Sequence, residues 1–151
     1  MKQERPYLRG VGLLLLSSNI RLLVLKELES KPQSRKQAGM LSFPLETLEV
    51  TEAPINGIAR LIKEEVDHAQ VGNIFALQQL GEYHFTHPGC DVIIHAYQAR
   101  ASHEFEAQPA DSDVEHFGWI EPALLIAYQH VRLEVTPIIH ALLSQNLHVA
   151  L

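Results

Sequence analysis

Apolar residues fall in blocks along the chain, and the spacing of those blocks predicts a succession of elements. Residues 11–27, VGLLLLSSNIRLLVLKE, hold two nearly continuous apolar runs around Ser18-Asn19, which predicts two buried strands joined by a turn. Residues 28–40 are polar, contain Pro32 and gather Lys31, Arg35 and Lys36. They read as a surface loop, with a solvated connection and a phosphate-facing role equally open. A short strand is expected over 40–44 and a helix over 53–67. Two strands follow over 74–83 and 91–101, separated by HFTHPG, whose Pro88-Gly89 marks the turn. Residues 102–113 are acidic and contain Pro109, so an exposed loop is expected before a strand over 114–120. Glu121-Pro122 opens a helix through about His130, and Thr136-Pro137 opens a last helix. The apolar face of this last helix, Ile138, Ile139, Leu142 and Leu143, should dock on the body. This order predicts an α/β fold with a mixed sheet covered by helices on both faces, as a single domain over residues 1–151.

The helix over 53–67 carries the densest chemistry. Thr51 or Glu52 is placed to cap it, and Pro54 suits its first turn. At about 100° per residue, Ile55, Ala59, Ile62 and Val66 form an apolar stripe with Ile58 at its edge. Glu64 then projects roughly opposite, with Glu65 and Leu61 between Glu64 and Ile58. Adjacent carboxylates so placed can serve one cleft, and a hard cation such as magnesium takes oxygen ligands of this kind. On an arbitrary amphipathic helix, Lys63-Glu64-Glu65 is more often a solvated face. Gly57 costs up to about 1 kcal/mol against alanine inside a helix, and close packing on the sheet would account for it.

Phe43-Pro44, Glu52, Arg60, Ile62, Glu64 and Glu65 together resemble the Nudix box, G-x5-E-x7-R-E-U-x-E-E-x-G-U with U aliphatic. The chain departs from that pattern at Glu46 and Asp67 in place of glycines, at Leu61 in place of the glutamate after arginine, and at His68 in place of an aliphatic residue. The resemblance spans roughly residues 8–145 and implies a Nudix-like α/β/α sandwich with a mixed β-sheet. It also implies a magnesium-dependent hydrolase, with manganese as the substitute, acting on a nucleoside diphosphate linked to another group. Carried over by residue, Glu64 and Glu65 are metal ligands, the backbone carbonyl of Leu45 adds a ligand, and Arg60 orients the acidic cluster through Glu52. Glu115, four residues before Trp119, is the candidate for an additional ligand or general base, with Asp113 second. Glu46 is expected to replace in part, as a metal ligand, the carboxylate lost at Leu61. The alternative is a nucleotide-binding or regulatory Nudix-like domain with weakened hydrolysis, supported by Leu61; a purely structural domain would leave the retained acids unexplained. Tyr83, Phe85 and Phe117 offer either a stacking surface or core filling.

Composition narrows the partners. Twelve basic against eighteen acidic residues give a net charge of -6, which argues against a dedicated nucleic-acid surface and means that an anionic substrate needs a bridging cation. The single Cys90 excludes an intramolecular disulfide and a cysteine-rich zinc site, so a cytoplasmic location is expected. Ser17-Ser18-Asn19 ends the apolar run far short of the roughly 20 residues of a membrane span, and MKQERPYLRG has no signal-peptide layout. His84, His87 and Cys90 have a zinc-like spacing but no fourth partner, and read better as loop residues. A homodimer is left open.

Overall fold

The computed structural model describes residues 7–31 and 36–149, with Arg35 outside the described residues. Strands β1 (Tyr7–Leu16) and β2 (Leu22–Glu27) flank the expected turn, yet they pair only at Leu16 and Leu22. Two short strands stand where one was expected, β3 (Leu41–Ser42) against β2 and β4 (Leu45–Thr47) against β1. Beyond them come β5 (Ile74–His87), β6 (Cys90–Ala101) and β7 (Val114–Ile120). β1 runs parallel to β6 from Tyr7 opposite Asp91 to Leu16 opposite Arg100, while β2 pairs antiparallel with β7. The seven strands form one mixed sheet whose main path runs β3-β2-β1-β6-β5, with β4 paired to β1 and β7 to β2 off that path. Because β1 and β2 diverge from their shared turn, a wedge opens between them, with β4 on one wall and β3 on the other.

Helices cover both faces, and that explains why β1 is apolar without alternation. Val11, Leu13 and Leu15 face one cluster with Ile58, Leu61 and Val66, whereas Leu14 and Leu16 face another with Leu125, Ile138, Ile139 and Leu142. The first cluster lies under α1 (Pro54–Leu61) and the second under α2 (Pro122–Ala127) and α3 (Val135–Val149). The result is the expected α/β/α sandwich. Among the described residues, no helix is long and apolar enough to cross a membrane.

The face that α1 buries differs from the expected stripe. Gly57, Ile58, Leu61, Ile62, Glu65 and Val66 are buried, while Ile55 is about half exposed. The helix is rolled because Gly57 sits against the sheet side: a β-carbon there would lie 2.2 Å from Leu48 Cδ2. Beyond Leu61 the chain widens into a π-helical stretch over Ile62–Asp67, then a 3-10 stretch over His68–Asn73. Leu61 is thus a core residue with no exposure. Neither Thr51 nor Glu52 caps the helix; Ala53 is the N-cap, with no side-chain cap bond, and Pro54 opens the first turn.

The 102–113 segment is not simply exposed. Phe105 and Ala107 are buried in the α1-side core, and Trp119 Nε1 donates to the Phe105 carbonyl at 2.7 Å. His84 and His87, three apart on β5, point to different environments, 68% and 0% side-chain exposure respectively, so the zinc-like triplet does not converge.

Candidate functional site

A cavity of about 250 Å³ is lined by residues of β1, β4, the π-helical stretch, the 102–113 segment and the approach to α3. Its lining includes six acidic and four basic side chains. Leu45, Glu46, Glu65 and Asp113 are among them, as are Lys31 and Lys36 from the polar loop.

Arg60 is the hub of one half of the site. Its Nε and Nη2 donate to the two carboxylate oxygens of Glu52 at 3.0 and 2.7 Å, and its Nη1 pairs with Glu46. Nη2 also donates to the Thr47 carbonyl at 2.9 Å, and Glu64 Oε2 lies 3.5 Å from Nη1. The eight-residue spacing from Glu52 to Arg60 is therefore a cross-link between the loop and the helix. Arg60 holds the Glu52 carboxyl down at about 2, helped by the Glu49 N–H that Glu52 also accepts. Glu46 responds in the opposite direction. Burial, and then the hydrogen bond it shares with Glu64, push its carboxyl up to about 8 against the pull of Arg60. One Glu46 oxygen, Oε2, is buried without a hydrogen-bond partner.

Glu65 forms the centre of the other half. The inward roll of the helix buries it, and that burial, followed by the neighbouring Asp111 carboxylate, pushes its carboxyl up to about 8. Asp111 arrives from the 102–113 segment, where its N–H donates to the Glu64 carbonyl at 3.0 Å. Two carboxylate pairs, Glu46 with Glu64 and Glu65 with Asp111, thus adjoin through the consecutive helix residues Glu64 and Glu65. Glu64 itself stands at the rim, with its side chain 44% exposed.

Asp111 is the residue that sequence reasoning missed. Phe105 and Ala107 in an otherwise polar segment were the available clue that this segment is anchored, since only an anchored loop can hold an acid over the helix. Glu115, the first candidate for the additional ligand or general base, is 52% exposed, faces Lys26 at 3.8 Å and lies outside the cavity lining, because the alternation of β7 turns it outward. Asp113, the second candidate, lines the cavity but is ion-paired to Lys31 at 3.2 Å. Tyr83 and Phe85 pack against the α3-side core, and Phe117 meets Tyr128 edge-to-face at 6.1 Å on the surface.

Among the described residues, no three His, Cys, Asp or Glu side chains form a ready-made metal cage. Magnesium does not need one: it commonly takes one or two carboxylates and completes its shell with water and substrate phosphate. Glu65 and Glu46, whose proton affinities burial raises, together with Glu64, Asp111 and the unpartnered Glu46 oxygen, are a donor set of that kind.

The NUDIX domain profile matches residues 6–141, nearly the whole chain. The chain belongs to the NUDIX domain family. Solved Nudix structures share its fold at low identity. The MutT protein from Methanosarcina mazei Go1 aligns at a TM-score of 0.71 and 18% identity, covering 96% of this chain and 99% of that one. A NUDIX hydrolase from Nitrosomonas europaea gives 0.71 and 19%, over 93% and 90%. The NUDIX domain of Shewanella oneidensis NrtR, complexed with ADP ribose, gives 0.69 and 12%, over 95% and 90%. No curated protein matches the chain. Nudix hydrolases generally use divalent cations.

Proposed function

We propose that this Nudix domain, residues 1–151, is a cytoplasmic hydrolase that cleaves the diphosphate of a nucleoside diphosphate derivative with a divalent cation, magnesium first and manganese as substitute. The observation that carries the reading is the cluster of Glu46, Glu65 and Asp111 on one cavity wall, with Glu64 beside Glu65 and sharing a hydrogen bond with Glu46. These four side chains would hold the cation, with the Leu45 carbonyl as a further donor. When bound, the cation supplies charge neutralisation at the phosphoryl oxygens and lowers the proton affinity of water. Asp111 takes the role expected of Glu115: its carboxylate, beside Glu65, can accept a proton from the attacking water as the bridging P–O bond breaks. Arg60 and Glu52 are positioning residues, since Arg60 ties Glu46, Glu52 and the Thr47 carbonyl to the helix that presents Glu64 and Glu65.

A second reading is a ligand-binding or regulatory domain. Leu61 in the core favours it, because the carboxylate usual after the arginine is absent. The NrtR neighbour, complexed with ADP ribose, offers a ligand to try. Incubating the protein with magnesium and a panel of nucleoside diphosphate derivatives, followed by product identification, separates the two readings. Two products from cleavage of one P–O–P link, lost in Glu65→Gln, support hydrolysis; thermal stabilisation by a panel member without turnover moves the assignment to binding.

A further inference from the structure

A second group of cavity residues is ionic, buried and unused by the reaction described above. Glu27 ends β2 with its side chain 6% exposed, and it holds two cations: Lys36 Nζ at 2.9 Å from Oε2 and Arg132 Nη1 at 3.2 Å from Oε1. Arg132 Nε lies 3.8 Å from Glu134 Oε2, and Glu134 Oε1 lies 3.5 Å from His87 Nε2. The side chains of Lys36 and Arg132 are 8% and 14% exposed, so both cations are largely withdrawn from water. Stability alone is a poor reason to keep such a chain, because burying charges costs about as much as their attraction returns and apolar replacements often serve as well. Lysine offers three donors and arginine five, and Glu27 meets one nitrogen of each.

Two further observations say what the cavity favours. None of its lining residues is aromatic, so a nucleobase has no ring to stack on inside it. Its volume of about 250 Å³ is below the usual range for small-molecule sites, roughly 300–1,000 Å³. That space suits phosphoryl groups and a cation better than a base and a sugar as well.

We propose that Lys36 and Arg132 form a phosphate-binding wall, with Glu27 as the resident anion that a substrate phosphoryl group displaces. The preferred substrate is then a diphosphate derivative that carries a further phosphoryl group and is recognised by its phosphates, its base lying outside the cavity. The proposal narrows the substrate class of the hydrolase reading, but the anion site itself is measured without metal or turnover, so either can fail alone.

The probe is inorganic tripolyphosphate, titrated calorimetrically into the protein in buffer containing a chelator. Binding should weaken about tenfold or more in Lys36→Gln and in Arg132→Gln, the loss expected for a charge-assisted hydrogen bond, and strengthen in Glu27→Gln. Lys63→Gln, which removes the same charge from an exposed position, should bind as the wild type does. Should a glutamine variant fail to fold, side-chain nitrogen NMR of the wild type answers the same question: tripolyphosphate should shift the Lys36 and Arg132 resonances, and adenosine should not. Equal affinity in the wild type and both cation variants, unshifted resonances, or adenosine binding as tightly as tripolyphosphate would overturn the proposal. Tripolyphosphate binding that follows the expected pattern in a protein without hydrolytic turnover would sink the hydrolase reading and leave this one standing.

Discussion

At the scale of residues, two glutamates next to each other in sequence have different physical lives. Glu64 faces solvent and Glu65 is buried. Glu65 and Glu46 keep their protons to about pH 8 in the fold, against an ordinary 4.5. The folded state therefore binds more protons than the unfolded chain between those values, and stability should fall as pH rises from about 4.5 to 8, then level off. Glu52, held at about 2, acts in the opposite sense and loses its contribution only as pH falls from 4.5 towards 2. Thermal unfolding in chelator should thus give a lower Tm at pH 8 than at pH 5.5, and magnesium with a diphosphate should remove most of the difference; a flat profile would mean that these carboxyls are solvated. Leu61→Glu should not restore a family-like ligand. It places a carboxylate among Val11, Leu13 and Ile58 and should cost about 2 kcal/mol or more, read as a lower denaturation midpoint with no gain in cation affinity. The Glu52–Arg60 contact was legible because it follows from spacing within one segment. The Asp111–Glu65 contact was not, because it joins residues 46 positions apart through a loop whose path no local pattern encodes.

At the scale of elements, the sequence pattern placed strands and helices well and misjudged the roll of α1. A wheel drawn at about 100° per residue puts Ile55 in the stripe and Ile58 at its edge, whereas the sheet buries Ile58 and leaves Ile55 half exposed through the close approach at Gly57. Gly57→Ala decides between two opposed effects. Helix propensity favours alanine by about 1 kcal/mol, but the added methyl meets Leu48 Cδ2 at 2.2 Å, and such overpacking typically costs about 1–3 kcal/mol. A net loss of stability is expected by chemical denaturation, and a gain would show that the contact is loose. The 102–113 segment offers a parallel case. Trp119→Phe keeps the ring beside Phe105, with which it stands edge-to-face at 5.4 Å, but removes the bond to the Phe105 carbonyl. Global stability should fall by about 1 kcal/mol, while cation affinity falls several-fold because Asp111 loses its anchor. Unchanged affinity would detach the loop from the site.

At the scale of the whole molecule, the divergence of β1 and β2 makes the site. It lets β4 bring Glu46 to one wall, and it leaves Glu27 at the end of β2 within the cavity lining. A chain of net charge -6 whose cavity also carries more acids than bases attracts a cation before it attracts a phosphate. Calorimetric titration of manganese into the protein at pH 7, repeated in buffers of different ionisation enthalpy, tests this most directly, because a cation seated on Glu65 and Glu46 must displace the protons they hold. The account predicts saturable binding that releases about one proton or more per cation in the wild type, with both affinity and release reduced in Glu65→Gln and in Asp111→Asn. Binding without proton release, or binding that is the same in all three proteins, would contradict it.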